Sequence, residues 1–131
     1  MSKTQVLIVD DHPLALASIE SLLRMEKDIE IVGMAMSGEQ AIATAKELQP
    51  DLVIMDFRMD GMDGVEAGRI IRAENPGIDV VILSTFDEFG HTERVRAAGI
   101  AGWLSKDDAP DELLEAIISM IAARSGRQTI I

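Results

Sequence analysis

Polar side chains able to do metal or phosphate chemistry follow several short apolar runs of this chain. An acidic pair follows the first run, one aspartate the third, two hydroxyls the fourth and a lysine the fifth: Asp10 and Asp11, Asp56, Ser84 and Thr85, and Lys106. Carboxylates brought close together repel each other unless a cation lies among them. Mg²⁺ suits that position, because it binds one or two carboxylates, keeps several waters and shares phosphate oxygens. Beside Mg²⁺, an ionised aspartate is a usable nucleophile toward phosphorus, and a lysine or hydroxyl can stabilise the phosphoryl group.

These residues can meet only if the apolar runs are neighbouring strands, and the rest of the chain favours that arrangement. Short apolar runs alternate with segments of helical periodicity. The predicted strands are Val6–Val9, Ile29–Ala35, Leu52–Met55, Val80–Leu83 and Gly102–Leu104. Five helices are predicted, and the first and last cover Pro13–Arg24 and Asp108–Arg124. The second is capped by Ser37 and Gln40 and ended by Pro50, and the third is capped by Asp63 and ended before Asn75. The fourth is weaker, covers Glu88–Ala98 and is closed by Gly99.

Strands buried on both faces and joined by crossover helices predict an α/β fold with a doubly wound, five-stranded parallel sheet in a three-layer sandwich. Right-handed crossovers leave few topologies, and the expected strand order is 2-1-3-4-5. In such sheets ligands bind beyond the carboxyl ends of the strands, which is where the polar residues fall. None is specific alone, since an acidic pair can cap a helix and a lysine is usually solvated. Their coincidence at four strand ends carries the hypothesis.

Composition narrows the function classes. The chain has 131 residues, which suits one domain, and its 12 basic and 23 acidic residues give a net charge of −11. Such acidity is unsuited to direct nucleic-acid binding, which needs a positive surface. With no cysteine, disulfides and thiolate metal sites are excluded. No apolar run approaches the roughly 18 residues of a membrane span, and Met1–Gln5 does not begin a signal peptide. We therefore expect a cytoplasmic protein without membrane contact.

Four segments together resemble the receiver domain of bacterial two-component response regulators, a CheY-like family with a flavodoxin-like fold. They are Val6–His12, Asp56–Gly64, Ile82–Ser84 and Gly102–Lys106. The resemblance extends from about Gln5 to Arg124, nearly the whole chain. It predicts a receiver domain over residues 1–124, followed by a C-terminal tail or the start of a linker over residues 125–131.

The resemblance implies a role for each residue at the strand ends. Asp56 would accept a phosphoryl group from a phosphohistidine on a sensor histidine kinase. Lys106 would contact the phosphoryl group, Ser84 would be the switch hydroxyl, and Trp103 would be the mobile aromatic side chain. The implied Mg²⁺ ligands are Asp11, Asp56 and the backbone carbonyl of Arg58, with Asp10 acting through water.

Two positions depart from the family pattern. Asp60 stands where the family usually has proline, which is expected to loosen the loop and to add negative charge near the site. Asp107 follows Lys106 where many receivers have proline, and this pair resembles the NarL/FixJ-type subclass, whose output domain is a helix-turn-helix DNA binder. DNA would then be contacted only through an output domain outside this chain.

The hypothesis is a conformational switch that catalyses only its own phosphorylation and dephosphorylation. Phosphorylation would draw Ser84 toward the phosphoryl group, and Trp103 would change its burial against the fourth helix. That helix contains Gly90 and few apolar anchors, so it should be the least stable element. By resemblance, the changed surface could support a homodimer.

Other classes stay open. An aspartyl-phosphate phosphatase or phosphotransferase needs a second aspartate two residues after the nucleophile, where this chain has Arg58. A degenerate receiver would take no phosphate and act by protein contact. A flavin-binding protein is disfavoured, since no Ser/Thr/Gly-rich phosphate loop follows the first strand and aromatic residues are 3% of the chain. His12 and His91 are interpreted as solvent-facing residues away from any metal site.

Overall fold

The computed structural model describes residues 3–85 and 92–129 of the chain, in which strands and helices alternate. The strands are β1 (Thr4–Val9), β2 (Ile29–Ala35), β3 (Leu52–Asp56), β4 (Asp79–Ser84) and β5 (Gly102–Ser105). The helices are α1 (Pro13–Arg24), α2 (Gly38–Leu48), α3 (Gly64–Glu74), α4 (Thr92–Ala97) and α5 (Pro110–Thr129).

All strands join one parallel sheet in the order β2-β1-β3-β4-β5, which confirms the predicted topology. Successive side chains of a strand point to opposite faces, so a strand that is apolar throughout requires cover on both sides. In β1, Leu7 and Val9 face the core formed with α2, α3 and α4, whereas Val6 and Ile8 face the core formed with α1 and α5. The sheet is therefore the middle of three layers.

Two predicted caps fix the starts of the helices that flank the central strand. The Ser37 hydroxyl accepts a hydrogen bond from the Gln40 N–H at 3.0 Å, and the Gln40 side chain accepts one from the Met36 N–H at 2.7 Å. The Asp63 carboxylate accepts a hydrogen bond from the Glu66 N–H at 2.9 Å. Such caps satisfy amides that have no partner inside the helix.

The carboxyl-terminal half differs from the sequence prediction at its boundaries. α5 occupies Pro110–Thr129 and not Asp108–Arg124. It begins at Pro110, where the missing N–H costs no helical hydrogen bond, and Ser125 and Gly126 do not interrupt it. None of the described helices is both long enough and apolar enough to cross a membrane.

For α4 the prediction was Glu88–Ala98, and the described part is Thr92–Ala97. Residues 88–91, with Gly90 and His91, lie outside the described residues. The predicted closure at Gly99 is confirmed, since its φ of 75° is the left-handed conformation that glycine adopts readily.

Candidate functional site

The sheet brings four of the predicted residues to one edge. Asp56 is the last residue of β3 and Ser84 is the last residue of β4. Asp10 directly follows β1, and Lys106 directly follows β5. Because the strands are parallel, their carboxyl ends share one edge, and the chain leaves β1 and β3 toward opposite faces of the sheet. That switch point is where doubly wound sheets form their ligand crevice.

Lys106 joins two buried carboxylates at this edge. Its Nζ lies 3.1 Å from Asp10 Oδ2 and 2.7 Å from Asp56 Oδ1. Both aspartates are buried, and a buried charge is tolerated only when it is paired and hydrogen-bonded. Burial lowers the pKa of Lys106, but the hydrogen bonds and charges of Asp56 and then Asp10 outweigh it, so the pKa of Lys106 is raised above its usual value. The ammonium is therefore held in its charged form.

Asp11 and His12 complete the acidic end of the site. Asp11 is 20% exposed; its Oδ1 is buried and accepts no hydrogen bond among the described residues, while its Oδ2 accepts one from the Asp60 N–H at 3.1 Å. His12 Nδ1 lies 3.0 Å from Asp10 Oδ1 and 3.0 Å from Asp11 Oδ1. The hydrogen bond to Asp10, followed by the charges of Asp11 and Asp10, raises the pKa of His12.

The predicted solvent exposure of His12 is confirmed, since 68% of its side chain is accessible, but His12 lies against Asp10 and Asp11 and not away from the acidic residues. Asp10, Asp11, His12 and Asp56 each offer one ligand atom, and those atoms lie within 4.8 Å of one another. Such a group of mainly oxygen donors can hold a cation. The sequence contained the signal, because His12 directly follows the acidic pair on the same loop.

The loop after Asp56 approaches the start of α3 closely. The Gly64 N–H donates a hydrogen bond to the Phe57 carbonyl at 2.8 Å. A Cβ added to Gly64 would lie 2.2 Å from the backbone oxygen of Asp56, closer than real Cβ contacts. Only glycine fits there without a shift of the Asp56 backbone. Arg58, on the same loop, has an exposed side chain, and the role of its carbonyl stays a prediction.

Trp103 packs against the core cluster that contains residues of α2, α3 and α4. Its ring packs edge-to-face on Phe57, which follows Asp56 directly, with ring centroids 5.7 Å apart and planes at 71°. The same core cluster contains Val95 of α4. Ser84 is buried, and its hydroxyl donates to the carbonyl of the next residue at 3.0 Å. The roles of Ser84 and Trp103 as switch residues stay predictions.

This arrangement has counterparts in known proteins. The profile of the response regulator receiver domain matches residues 6–118 of the chain. This chain belongs to the receiver domain family. Its sequence is 42% identical over 113 residues to the response regulator protein VraR of Staphylococcus aureus. The aligned region covers 86% of this chain and 54% of VraR. The receiver thus spans about half the length of the curated relatives it matches.

Solved structures agree with this assignment. The signal receiver domain of the putative response regulator NarL from Mycobacterium tuberculosis is similar with a TM-score of 0.84 and 30% identity, over 92% of this chain and 97% of that one. A DNA-binding response regulator of the LuxR family from Staphylococcus aureus is similar with a TM-score of 0.80 and 28% identity, over 88% of this chain and 97% of that one. The fold and the resemblance to the NarL/FixJ-type subclass are thereby confirmed.

Three features of this receiver were missed at the sequence level. His12 contacts the acidic pair, Gly64 makes room for the Asp56 backbone, and Asp60 donates its amide to Asp11. Replacement of the usual proline by Asp60 was expected to loosen the loop, yet it also supplies a donor that proline lacks. Each of these contacts joins the site to a loop whose path the sequence pattern does not specify.

Proposed function

We propose that Asp56 of this receiver accepts a phosphoryl group from a phosphohistidine on a sensor histidine kinase. The observation that carries the proposal is the position of the Lys106 ammonium, 2.7 Å from Asp56 Oδ1 and 3.1 Å from Asp10 Oδ2 at the switch point of the sheet. A fixed ammonium beside a buried carboxylate neutralises the charge that a phosphoryl group would add there.

In the proposed transfer, a carboxylate oxygen of Asp56 attacks phosphorus while the phosphorus–nitrogen bond of the phosphohistidine breaks. The leaving ring, whose other nitrogen is protonated by solvent before transfer, keeps the bonding pair and departs as neutral imidazole. Lys106 pairs with the new phosphoryl oxygens, and Ser84 donates its hydroxyl to them. Attack by water on phosphorus later releases inorganic phosphate and restores the carboxylate. The receiver thus catalyses only its own phosphorylation and dephosphorylation, and its role is signalling.

A Mg²⁺ ion fits the same site. Asp11, Asp56 and the Arg58 carbonyl would hold it, with Asp10 acting through water, and the clustering of ligand atoms from Asp10, Asp11 and Asp56 within 4.8 Å of one another supports this set. When bound, Mg²⁺ supplies charge neutralisation for the carboxylates and the phosphoryl oxygens. The donor atoms are mainly carboxylate oxygens, which Mg²⁺ prefers over soft ligands.

The acceptor is tested by intact mass after incubation with acetyl phosphate and Mg²⁺. The wild-type protein should gain one phosphoryl group, and Asp56→Asn should gain none. Asp107→Asn is a matched control, because it removes an exposed carboxylate next to Lys106 and should still be phosphorylated. A gain that persists in Asp56→Asn would contradict the assignment, and no gain in the wild type would favour a receiver that acts by contact alone.

We further propose that the natural protein controls transcription through a helix-turn-helix output domain outside this chain. Two similarities support this: the match covers about half of VraR, and the LuxR-family regulator from Staphylococcus aureus is named as DNA-binding. Phosphorylation would favour a homodimer of the receiver. Reading the coding sequence beyond Ile131 tests the output domain, and sedimentation with and without acetyl phosphate tests the dimer.

A further inference from the structure

Asp60 and Asp11 are linked across the site although they stand 49 residues apart in the chain. The Asp60 backbone N–H donates to Asp11 Oδ2 at 3.1 Å. Asp11 lies on the loop after β1, and Asp60 lies on the loop between β3 and α3. The hydrogen bond therefore ties the two loops that flank the switch point.

The two oxygens of Asp11 have different surroundings. Oδ1 faces the cluster, since it lies 3.0 Å from His12 Nδ1, which is also 3.0 Å from Asp10 Oδ1. That oxygen is buried and accepts no hydrogen bond among the described residues. Oδ2 is occupied by the Asp60 amide. A donor on Oδ2 fixes the rotation of the carboxylate and so holds Oδ1 toward the other ligand atoms.

We propose that Asp60 is a positioning residue whose backbone N–H, and not its carboxylate, orients Asp11 for binding a divalent cation. The inference rests on the proposed function, because it assigns a partner to one ligand of the proposed Mg²⁺ site. Groups that hydrogen-bond a metal ligand fix its orientation, and their removal typically costs about 10–100-fold in metal affinity.

The competing interpretation is that the Asp60 carboxylate itself matters, either as an extra ligand or through its charge. Asp60 is exposed, whereas the described cluster consists of Asp10, Asp11, His12 and Asp56. An exposed charge is screened by salt and water. The amide is the group of Asp60 that is observed in contact with Asp11, and every residue except proline supplies it.

Two substitutions separate the amide from the carboxylate. Asp60→Asn removes the charge and keeps the N–H, while Asp60→Pro removes both. Mn²⁺ serves as the probe, with free ion measured by electron paramagnetic resonance and Mg²⁺ added as competitor. We expect Asp60→Asn to stay within about twofold of the wild-type affinity and Asp60→Pro to bind about tenfold more weakly or worse. The proposal is overturned if the two variants bind Mn²⁺ with equal affinity, whether both match the wild-type protein or both bind more weakly.

A measurement on the cation-free protein covers the case in which Asp60→Pro does not fold. In ¹⁵N-labelled wild-type protein the residue 60 amide should be protected from exchange, and Asp11→Ala should shift its proton upfield and remove the protection. If the chemical shift and exchange protection of this amide are unchanged in Asp11→Ala, the hydrogen bond from Asp60 to Asp11 is refuted. The proposed function fails separately, when the wild-type protein gains no phosphoryl group while Mn²⁺ binding still distinguishes the two Asp60 variants.

Discussion

At the scale of single residues, Lys106 holds the two buried carboxylates of the site together. Replacing it by methionine keeps much of the side-chain volume and leaves Asp10 and Asp56 without their shared ammonium. Breaking a buried ion pair by removing one partner is costly, and the partial exposure of Lys106 reduces that cost through solvent screening. We expect Lys106→Met to lower the free energy of unfolding by about 2 kcal/mol in the absence of divalent cations.

The same variant should recover part of that loss in Mg²⁺, because the bound cation replaces the missing positive charge. Urea unfolding with and without Mg²⁺ measures both effects. Lys46→Met is the control, since Lys46 is exposed on α2 and its replacement should change stability by less than about 0.5 kcal/mol. A loss of the same size in Lys106→Met with and without Mg²⁺ would contradict this account of the site.

His12 should titrate above the ordinary histidine pKa of about 6.5 in the cation-free receiver. The cause is its hydrogen bond to Asp10, reinforced by the charges of Asp11 and Asp10. Because the folded-state pKa is raised, protonated His12 stabilises the fold fully below the unfolded value, and this contribution is lost as pH rises through the folded-state pKa.

An NMR titration of the His12 ring in a His91→Gln background tests that direction, since the chain has two histidines. Asp10→Asn should bring the pKa of His12 back toward 6.5, because it removes the strongest of the interactions that raise it. A wild-type pKa at or below about 6.5 would show that the contacts of His12 with the acidic pair do not persist in solution.

At the scale of elements, the junction between β3 and α3 depends on Gly64. An alanine Cβ would collide with the backbone oxygen of Asp56, so β3 or α3 must move to accept it. Such overpacking typically costs 1–3 kcal/mol, and we expect Gly64→Ala to lower the free energy of unfolding by about 2 kcal/mol and to slow phosphorylation by acetyl phosphate.

Gly77→Ala is the matched control for that substitution. Its added Cβ would meet only the Asn75 side chain, at 3.1 Å on an exposed turn, and that side chain can give way. Its effect on both stability and phosphorylation should therefore be small. Stability is measured by urea unfolding and phosphorylation by intact mass. Equal losses of both in Gly64→Ala and Gly77→Ala would show that the contact with the Asp56 oxygen does not cause the effect at Gly64.

The elements themselves were largely predictable because each has a local cause. β1, β3 and β4 are buried on both faces, and only apolar runs satisfy that requirement. Ser37 and Asp63 mark helix starts through hydrogen bonds that span three residues. Parallel topology then brings the strand ends together, so the location of the site followed from the same pattern.

The parts of the site that were missed depend on contacts between loops. The approach of Gly64 to the Asp56 carbonyl and the bond from Asp60 to Asp11 are set by loop paths, which have no periodicity to reveal them. The end of α5 was misplaced for a related reason, since a helix stops where its packing and capping fail and not wherever a small polar residue occurs.

At the scale of the whole molecule, contacts near Asp56, the proposed acceptor, extend toward α4, the helix that is expected to move. Phe57 follows Asp56 and packs edge-to-face on Trp103, which shares a core cluster with Val95 of α4. Arg94 of α4 also pairs with Asp63, the cap of α3, at 3.1 Å. Residues near Asp56 are thus linked to α4 in two ways: Phe57 and Val95 belong to one apolar cluster, and Asp63 pairs with Arg94.

Beryllofluoride with Mg²⁺, a mimic of the phosphoryl group, should therefore change the emission and quenching of Trp103. The chain has a single tryptophan, so the signal has one source. A phosphoryl mimic shifts a conformational equilibrium only through contacts that differ between the two states. If the Ser84 hydroxyl makes that contact, Ser84→Ala should bind the mimic and lose the change in Trp103. No change in the wild-type protein, or an equal change in Ser84→Ala, would rule out Ser84 as the residue that couples the acceptor to Trp103.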